Sequence, residues 1–195
     1  MRGLITKKLG MTRVVDQETG KIIPVTVLYA PAATVVGVRT MEKDGYDALV
    51  LGSFPRNKKY KNVGKKYQKI CEVKLSQPTD ATIGSTFGAD SFEDRKTVIL
   101  TSNTKGRGYQ GVVKRWGFKT GRESHGSGHY RQPGSVGMCA KPGRILKGKK
   151  LPGQYGNHQK TLRGVEIMAI DTNSETIAVR GSVAGARNSF VIIKA

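Results

Sequence analysis

Several groups of residues in this sequence have types and spacings that could do chemistry. Gly106-Arg107-Gly108-Tyr109-Gln110-Gly111 matches GxGxxG, the pattern that lets a backbone close around a dinucleotide pyrophosphate. Such a site also needs a helix behind the glycines and an acid about twenty residues on to hold a ribose. Here Val112-Val113-Lys114-Arg115-Trp116-Gly117 follows directly, and the later position is Tyr130-Arg131-Gln132, with no acid. Gly143-Arg144-Ile145-Leu146-Lys147-Gly148-Lys149-Lys150 approaches a nucleotide P-loop, but Lys150 stands where Ser or Thr must hold magnesium. His125, His129, Cys139 and His158 are zinc-ligand types, yet only His125 and His129 have a familiar ligand spacing, and no CxxC accompanies them. Glu123, Ser124 and His125 are the types of a hydrolytic relay, but adjacent residues cannot line up as nucleophile, base and orienting group. No catalytic residue, metal site, cofactor or small-molecule substrate is expected.

What the same stretch does supply is positive charge and glycine. Residues 105–164 hold 14 basic residues against one acid, Glu123, together with 14 of the 25 glycines, all three histidines and the single tryptophan. The Lys and Arg residues are interleaved with Tyr109, Trp116, Phe118, Tyr130 and Tyr155. Basic side chains displace counterions from phosphates, aromatic faces stack on unpaired bases, and glycine lets backbone approach closely. No helix-turn-helix, finger or basic-zipper pattern is present, and an irregular strand suits the pockets of folded RNA better than a regular groove. The plain alternative is a solvated basic surface, which does not account for the interleaved aromatics.

The flanks must position this segment, and their composition differs. Residues 1–104 carry 17 basic and 10 acidic residues, and residues 165–195 carry three of each. Lys21–Tyr29 places Ile23, Val25, Val27 and Tyr29 on one face at period two. Thr34–Met41, Asp47–Ser53 and Thr97–Asn103 repeat the pattern with β-branched residues. Gly164–Asp171 and Thr176–Val183 flank the turn Thr172-Asn173-Ser174-Glu175, and Asn188–Lys194 supplies a last strand. Tyr60, Val63, Tyr67 and Cys71 have helical spacing and predict one short helix. Short strands at this spacing predict a mainly β fold, a small antiparallel barrel rather than a sandwich, because both ends of the chain must share one core. Residues 1–104 and 165–195 are expected to form that body, with a basic insertion at about 54–75. Residues 105–164 are expected to form a long loop that a polyanion orders.

The whole chain fits this division. Its 195 residues carry 34 Lys+Arg against 14 Asp+Glu, net +20, and 37% are hydrophobic, enough for one core. No apolar run reaches the ~18 residues of a membrane helix, and Met1–Lys8 lacks the apolar stretch of a secretory signal. Cys71 and Cys139 do not make a disulfide framework and suit a reducing compartment. A cytoplasmic protein with no membrane partner is expected.

Beyond these short patterns, long strings of the sequence resemble large-subunit ribosomal protein L3 of the bacterial type. They are Gly3-Leu4-Ile5-Thr6-Lys7-Lys8-Leu9-Gly10-Met11-Thr12 and Thr104-Lys105-Gly106-Arg107-Gly108-Tyr109-Gln110-Gly111-Val112-Val113-Lys114-Arg115. The similarity continues through His125-Gly126-Ser127, Arg131, Pro133-Gly134-Ser135-Val136-Gly137, Pro142-Gly143-Arg144, Lys147–Gly153 and Gly156-Asn157, and is loosest at residues 54–75. The resemblance implies a six-stranded barrel like those of translation factors, carrying a long extension. It implies a structural constituent of the large ribosomal subunit that binds 23S-type ribosomal RNA near its 3′ end and nucleates early assembly. The extension would reach toward the peptidyl-transferase centre, and large-subunit proteins fourteen and nineteen would be neighbours.

On that reading Lys7, Lys8, Lys58, Lys59 and Lys61 dock the body on RNA. Lys105, Arg107, Lys114, Arg115, Trp116, His125, Arg131, Arg144, Lys147, Lys149 and Lys150 contact RNA along the extension, whose tip is Pro133, Gly134, Ser135, Met138 and Cys139. Met138 stands where many bacterial members carry a glutamine, methylated in some, so that modification is not expected here. The other readings are an RNA-directed enzyme, which would need a nucleotide site, and a free-standing RNA chaperone whose loop stays disordered.

Overall fold

A computed structural model of the chain describes residues 3–17, 20–56, 66–75 and 81–195. In chain order these form β1 (Gly3–Val15), β2 (Ile22–Tyr29), β3 (Ala33–Arg39), α1 (Met41–Asp44), β4 (Ala48–Pro55), β5 (Tyr67–Lys74), β6 (Thr86–Phe87) and a 3-10 turn (Ala89–Phe92). They continue with β7 (Thr97–Asn103), β8 (Tyr109–Gln110), α2 (Val112–Trp116), β9 (Gly153–Gln154), β10 (Gln159–Asp171), β11 (Thr176–Arg180) and β12 (Phe190–Lys194). The chain is mainly β, as its patterning predicts. It divides into two compact units, Met1–Thr104 with Gln159–Ala195, and Lys105–His158.

In the first unit six strands pair antiparallel in the order β1-β12-β7-β10-β11-β2, and β2 returns to β1. The two ends of the chain are therefore neighbours, with Leu4 opposite Ile193 and Ile5 opposite Ile192. The 13-residue strands β1 and β10 each serve two partners. Both shift register on the way, β1 between Lys8 and Gly10, β10 between Leu162 and Val165 and again between Ile167 and Ala169. An extra residue on one strand bends it and adds twist, which lets a long strand curve from one neighbour to the next. Gly164, at φ +66, takes a left-handed conformation inside one of those shifts.

Period-two alternation puts Ile177 and Val179 of β11, and Val191 and Ile193 of β12, into one core with Leu4, Ile5, Leu28 and Leu100, all fully buried. Truncating any one of these to Ala typically costs about 2–5 kcal/mol, because the site collapses only in part. A four-stranded sheet, β5-β4-β3-β6, adds Leu49, Leu51, Phe54 and Val73 to the same cluster. At Gly3 a Cβ would collide with the Val73 side chain, so glycine lets β1 pack directly on β5. Three buried hydroxyls bond to carbonyls distant in sequence, Thr6 donating to Val191 O at 2.9 Å, Thr26 to Gly181 O at 2.7 Å and Ser102 to Ala184 O at 3.0 Å, while the buried Ser53 hydroxyl has no hydrogen-bond partner among the described residues.

Some sequence expectations need correction. Tyr67 and Cys71 belong to strand β5, not to a helix; Tyr60 and Val63 lie outside the described residues. Apolar spacing there satisfies either period over so short a run, and pairing with β4 decides it. In β2 the fully buried side chains beyond Val25 are Thr26 and Leu28, while Val27 and Tyr29 are half-buried. Both faces of that strand are covered, so alternation cannot say which is inner. The strand from Thr34 ends at Arg39, and Met41 opens α1, stopped by left-handed Gly45. Strand β10 begins at Gln159, paired with Asn103, so the cationic unit ends at His158 and not at 164.

Candidate RNA interface

The unit Lys105–His158 is held by a narrow neck. Strands β8 and β9 pair Tyr109 with Gln154 and Gln110 with Gly153. Arg107 N donates to Tyr155 O and Tyr155 N to Gly108 O, both at 2.9 Å, and the Arg107 guanidinium lies 5.8 Å from the Tyr155 ring centroid. Gly156 sits at φ +72 with its Cα against the Lys105 carbonyl, a place no Cβ could occupy.

Beside the neck, α2 is a five-residue helix that follows the GxGxxG glycines, which sequence reasoning passed over. Five residues are too few for a helical period to register. Its side chains make a pin. Arg115 Nη1 and Trp116 Nε1 both donate to Leu151 O, at 2.7 and 2.9 Å. The Arg115 guanidinium lies 4.9 Å and the Lys150 ammonium 5.9 Å from the Trp116 ring centroid. Trp116 is therefore engaged within its own unit at its N–H and by two cations, and its first role is to hold residues 150–151 against α2. Nothing in sequence reveals Leu151, because its contribution is a backbone carbonyl.

Beyond the pin almost nothing is buried. Val112 is the single buried residue among the 54 of this unit, and every residue from 131 to 150 is exposed. Gly121 N donates to Tyr130 O at 2.8 Å and His129 Nδ1 lies 2.8 Å from Gln132 Oε1, closing one turn around His125, itself at φ 59. Pro133 precedes a loop in which Gly134, Ser135, Met138 and Cys139 line one cavity with Arg144 and Ile145. Met138 is 75% exposed.

The electrostatics match the composition. Lys105–His158 has twelve Lys and Arg against the single acid Glu123, a net of +11. Among the described residues the ion pairs are Arg39–Asp44 at 2.7 Å and Arg180–Glu166 at 2.6 Å, both in the first unit. Lys105, Arg107, Lys114, Arg131, Arg144, Lys147, Lys149 and Lys150 are exposed, as is His125. So are Lys119, Arg122 and Lys141, which count in the charge but which motif reading does not single out.

The body lysines are placed differently. The Lys7 ammonium lies 4.2 Å from the Phe54 and 5.2 Å from the Phe190 ring centroid and donates to Gln68 Oε1 at 3.2 Å. Lys8 Nζ donates to Val183 O at 2.7 Å. Both are half-buried and engaged within the body. Lys58, Lys59 and Lys61 lie outside the described residues. Among the described residues no group of His, Cys, Asp and Glu could hold a metal, and no helix is long and apolar enough to cross a membrane.

The chain is similar to known proteins over nearly its whole length. Residues 69–184 match the family described as ribosomal protein L3. The chain is 41% identical over 203 residues to the large ribosomal subunit protein uL3 of Thermosipho africanus, covering 100% of this chain and 98% of that one. It is 38% identical over 203 residues to the Geobacter sulfurreducens protein of the same name, covering 99% and 96%. Against that of Borrelia hermsii it is 42% identical over 207 residues, covering 100% and 97%.

Proposed function

The chain belongs to the ribosomal protein L3 family, and from that premise we propose that its cationic unit, Lys105–His158, is ordered by large-subunit ribosomal RNA. The family is a structural one, so this is a large-subunit ribosomal protein and not an enzyme. One observation carries the reading: 54 residues surround a single buried side chain, Val112, while none of the twelve Lys and Arg among them is paired with a carboxylate, among the described residues. A segment with so little core does not hold one conformation by burial of its own apolar surface. Phosphates supply the missing counter-charge, and RNA surface supplies the missing packing.

In this reading Lys105, Arg107, Lys114, Arg131, Arg144, Lys147 and Lys149 neutralise phosphates. The Arg115–Trp116–Lys150 pin sets the direction in which the loop leaves the neck. The tip at Pro133–Cys139 reaches toward the peptidyl-transferase centre without taking part in its chemistry. The closed six-strand ring is a barrel of the translation-factor type, which binds near the 3′ end of the RNA early in assembly, with large-subunit proteins fourteen and nineteen alongside. Lys58, Lys59 and Lys61 keep their assignment as body contacts on charge alone.

Protease protection of residues 105–158 tests the proposal, in the free protein and in purified large subunits. Cleavage in the free protein with protection in the subunit is the expected result. Equal protection in both would mean that the unit orders itself, and the reading fails. Salt dependence gives an independent measure: about ten phosphate contacts correspond to a log–log slope of roughly −7 to −9. A slope near −2 would leave most of these charges facing solvent.

A further inference from the structure

The two-stranded ladder of β8 and β9 has two unlike faces. Gln110 and Gly153 pair on one of them. A Cβ on Gly153 would sit 2.6 Å from Arg115 Nη1, so the Arg115 guanidinium covers that side. The Gln110 amide there donates back to the Arg107 carbonyl. Tyr109 and Gln154 pair on the other face, and both are exposed. Side chains directly opposite on a ladder start about 5 Å apart, so a phenol ring and a carboxamide stand side by side.

A single exposed ring is ordinary on a protein surface. This one differs in its surroundings. Tyr109 is 75% exposed, the most of any aromatic residue in the cationic unit. Trp116 is engaged by Leu151 O, Arg115 and Lys150, and Tyr155 faces Arg107. Among the described residues no hydrogen bond, cation or second ring engages the Tyr109 side chain, and no hydrogen bond the Gln154 amide. Gly108 and Gly111 lie on either side of Tyr109 and its neighbour Gln110, and a Cβ on either glycine would meet nothing within 4 Å. The backbone is nonetheless held, by the ladder and by the Arg107–Tyr155 and Tyr155–Gly108 hydrogen bonds.

We propose that Tyr109 and Gln154 form a base-binding pair: an unpaired RNA base stacks on the Tyr109 ring while the Gln154 amide hydrogen-bonds the edge of that base. The proposal deepens the RNA reading above and rests on it. A flat ring with open space over it offers a stacking surface, and a carboxamide carries both a donor and an acceptor for a base edge. Exposed Lys105 and Arg107, just before Tyr109, bring cations for the adjoining phosphates. The net charge of +11 on this unit favours a nucleic acid over an apolar protein segment. Holding the ring on a paired strand lowers the ordering cost of binding. Stacking therefore falls to Tyr109, and Trp116 keeps its place in the pin.

The test measures binding of the purified full chain to protein-free large-subunit ribosomal RNA across a salt series. Tyr109→Ala should weaken binding about tenfold at every salt concentration, within the roughly 5- to 150-fold that stacking on one base supplies. Its log–log slope should stay that of the wild type, because no phosphate contact is lost. Tyr109→Phe should bind as the wild type does, and Tyr109→Leu as weakly as the alanine variant. Gln154→Ala should cost about fivefold alone but less than twofold when added to Tyr109→Ala, since the base is no longer held beside it. Amide exchange at Arg107 and Tyr155 should be unchanged in all four variants. Undiminished binding by Tyr109→Ala, equal binding by the Leu and Phe variants, a shallower slope, additive losses or faster exchange at the neck would each overturn the proposal. If the wild-type chain does not bind this RNA, the ribosomal RNA reading fails and the proposal with it.

Discussion

The Trp116 indole nitrogen donates to the Leu151 carbonyl oxygen at 2.9 Å across a sequence separation of 35 residues. Both ends of the segment 117–150 are thereby fixed beside α2, with Arg115 Nη1 donating to the same oxygen at 2.7 Å. Fixing the ends of a long loop removes much of its closure entropy before any partner binds. The exposed part still has to find its contacts, but it starts from a defined base.

Trp116→Phe keeps a ring for Arg115 and Lys150 and removes the indole donor. A hydrogen bond of this kind is worth about 1 kcal/mol net, or roughly fivefold in an opening equilibrium. Amide hydrogen exchange at Arg107 and Tyr155, which close the neck, should accelerate about fivefold in the variant. Unchanged exchange would mean that the pin does not brace the neck.

Gly156 and Gly108 both have positive φ, +72 and +67, but only Gly156 is crowded, its Cα lying against the Lys105 carbonyl. Gly108 has open space around it. Gly108→Ala should cost only the left-handed penalty, about 1–2 kcal/mol. Gly156→Ala carries that penalty and forces the neck apart as well, so its neck amides should lose more protection than those of Gly108→Ala. Equal loss in the two variants would contradict the crowding.

Lys7 and Arg131 should separate in salt titrations of RNA binding. Arg131 is exposed in the cationic unit, and Arg131→Ala should make the log–log slope shallower by about 0.7–0.9, one phosphate contact. Lys7 is engaged by Phe54, Phe190 and Gln68. Lys7→Ala should therefore leave the slope unchanged and lower the denaturation midpoint of the body instead. A slope change of similar size for both would return Lys7 to the RNA interface.

Asp171 begins the turn between β10 and β11. The Ser174 hydroxyl and amide, with the Asn173 amide, donate to its carboxylate and hold its pKa below the ordinary 3.8. A carboxylate with a lowered folded pKa stabilises fully above the unfolded value and loses that contribution as pH falls through the folded one. Protection of the Asn173 and Ser174 amides should therefore be constant above about pH 5 and decline below 3.8. In Asp171→Asn this acid-dependent step should vanish. A variant with the same decline would place the titrating group elsewhere.

Legibility varied with the physics of each element. Thr97–Asn103 shows in the sequence because it is a short run rich in β-branched residues, Thr97, Val98, Ile99 and Thr101, and β7 has those same bounds. The hairpin turn at residues 172–175 shows because Asn and Ser follow Asp171. Strand β1 does not show, since Lys7, Lys8 and Gly10 interrupt its pattern; pairing with β12 and β2 holds it extended. Tyr67 and Cys71 fit a helix by spacing, and β4 made them a strand. In the cationic unit every Lys and Arg is visible in the sequence, but the pin is not, because its acceptor is a carbonyl that any residue could provide.

Charge, glycine content and strand alternation are local properties, so the sequence by itself determined a mainly β body and a cationic, glycine-rich segment suited to RNA. Tertiary structure alone decided which lysines are available to a partner. Lys7 and Arg131 carry the same charge in sequence. One lies over two aromatic rings brought together from β4 and β12, and the other faces solvent. Where a charge ends up depends on contacts between residues far apart in the chain, which composition and periodicity do not encode.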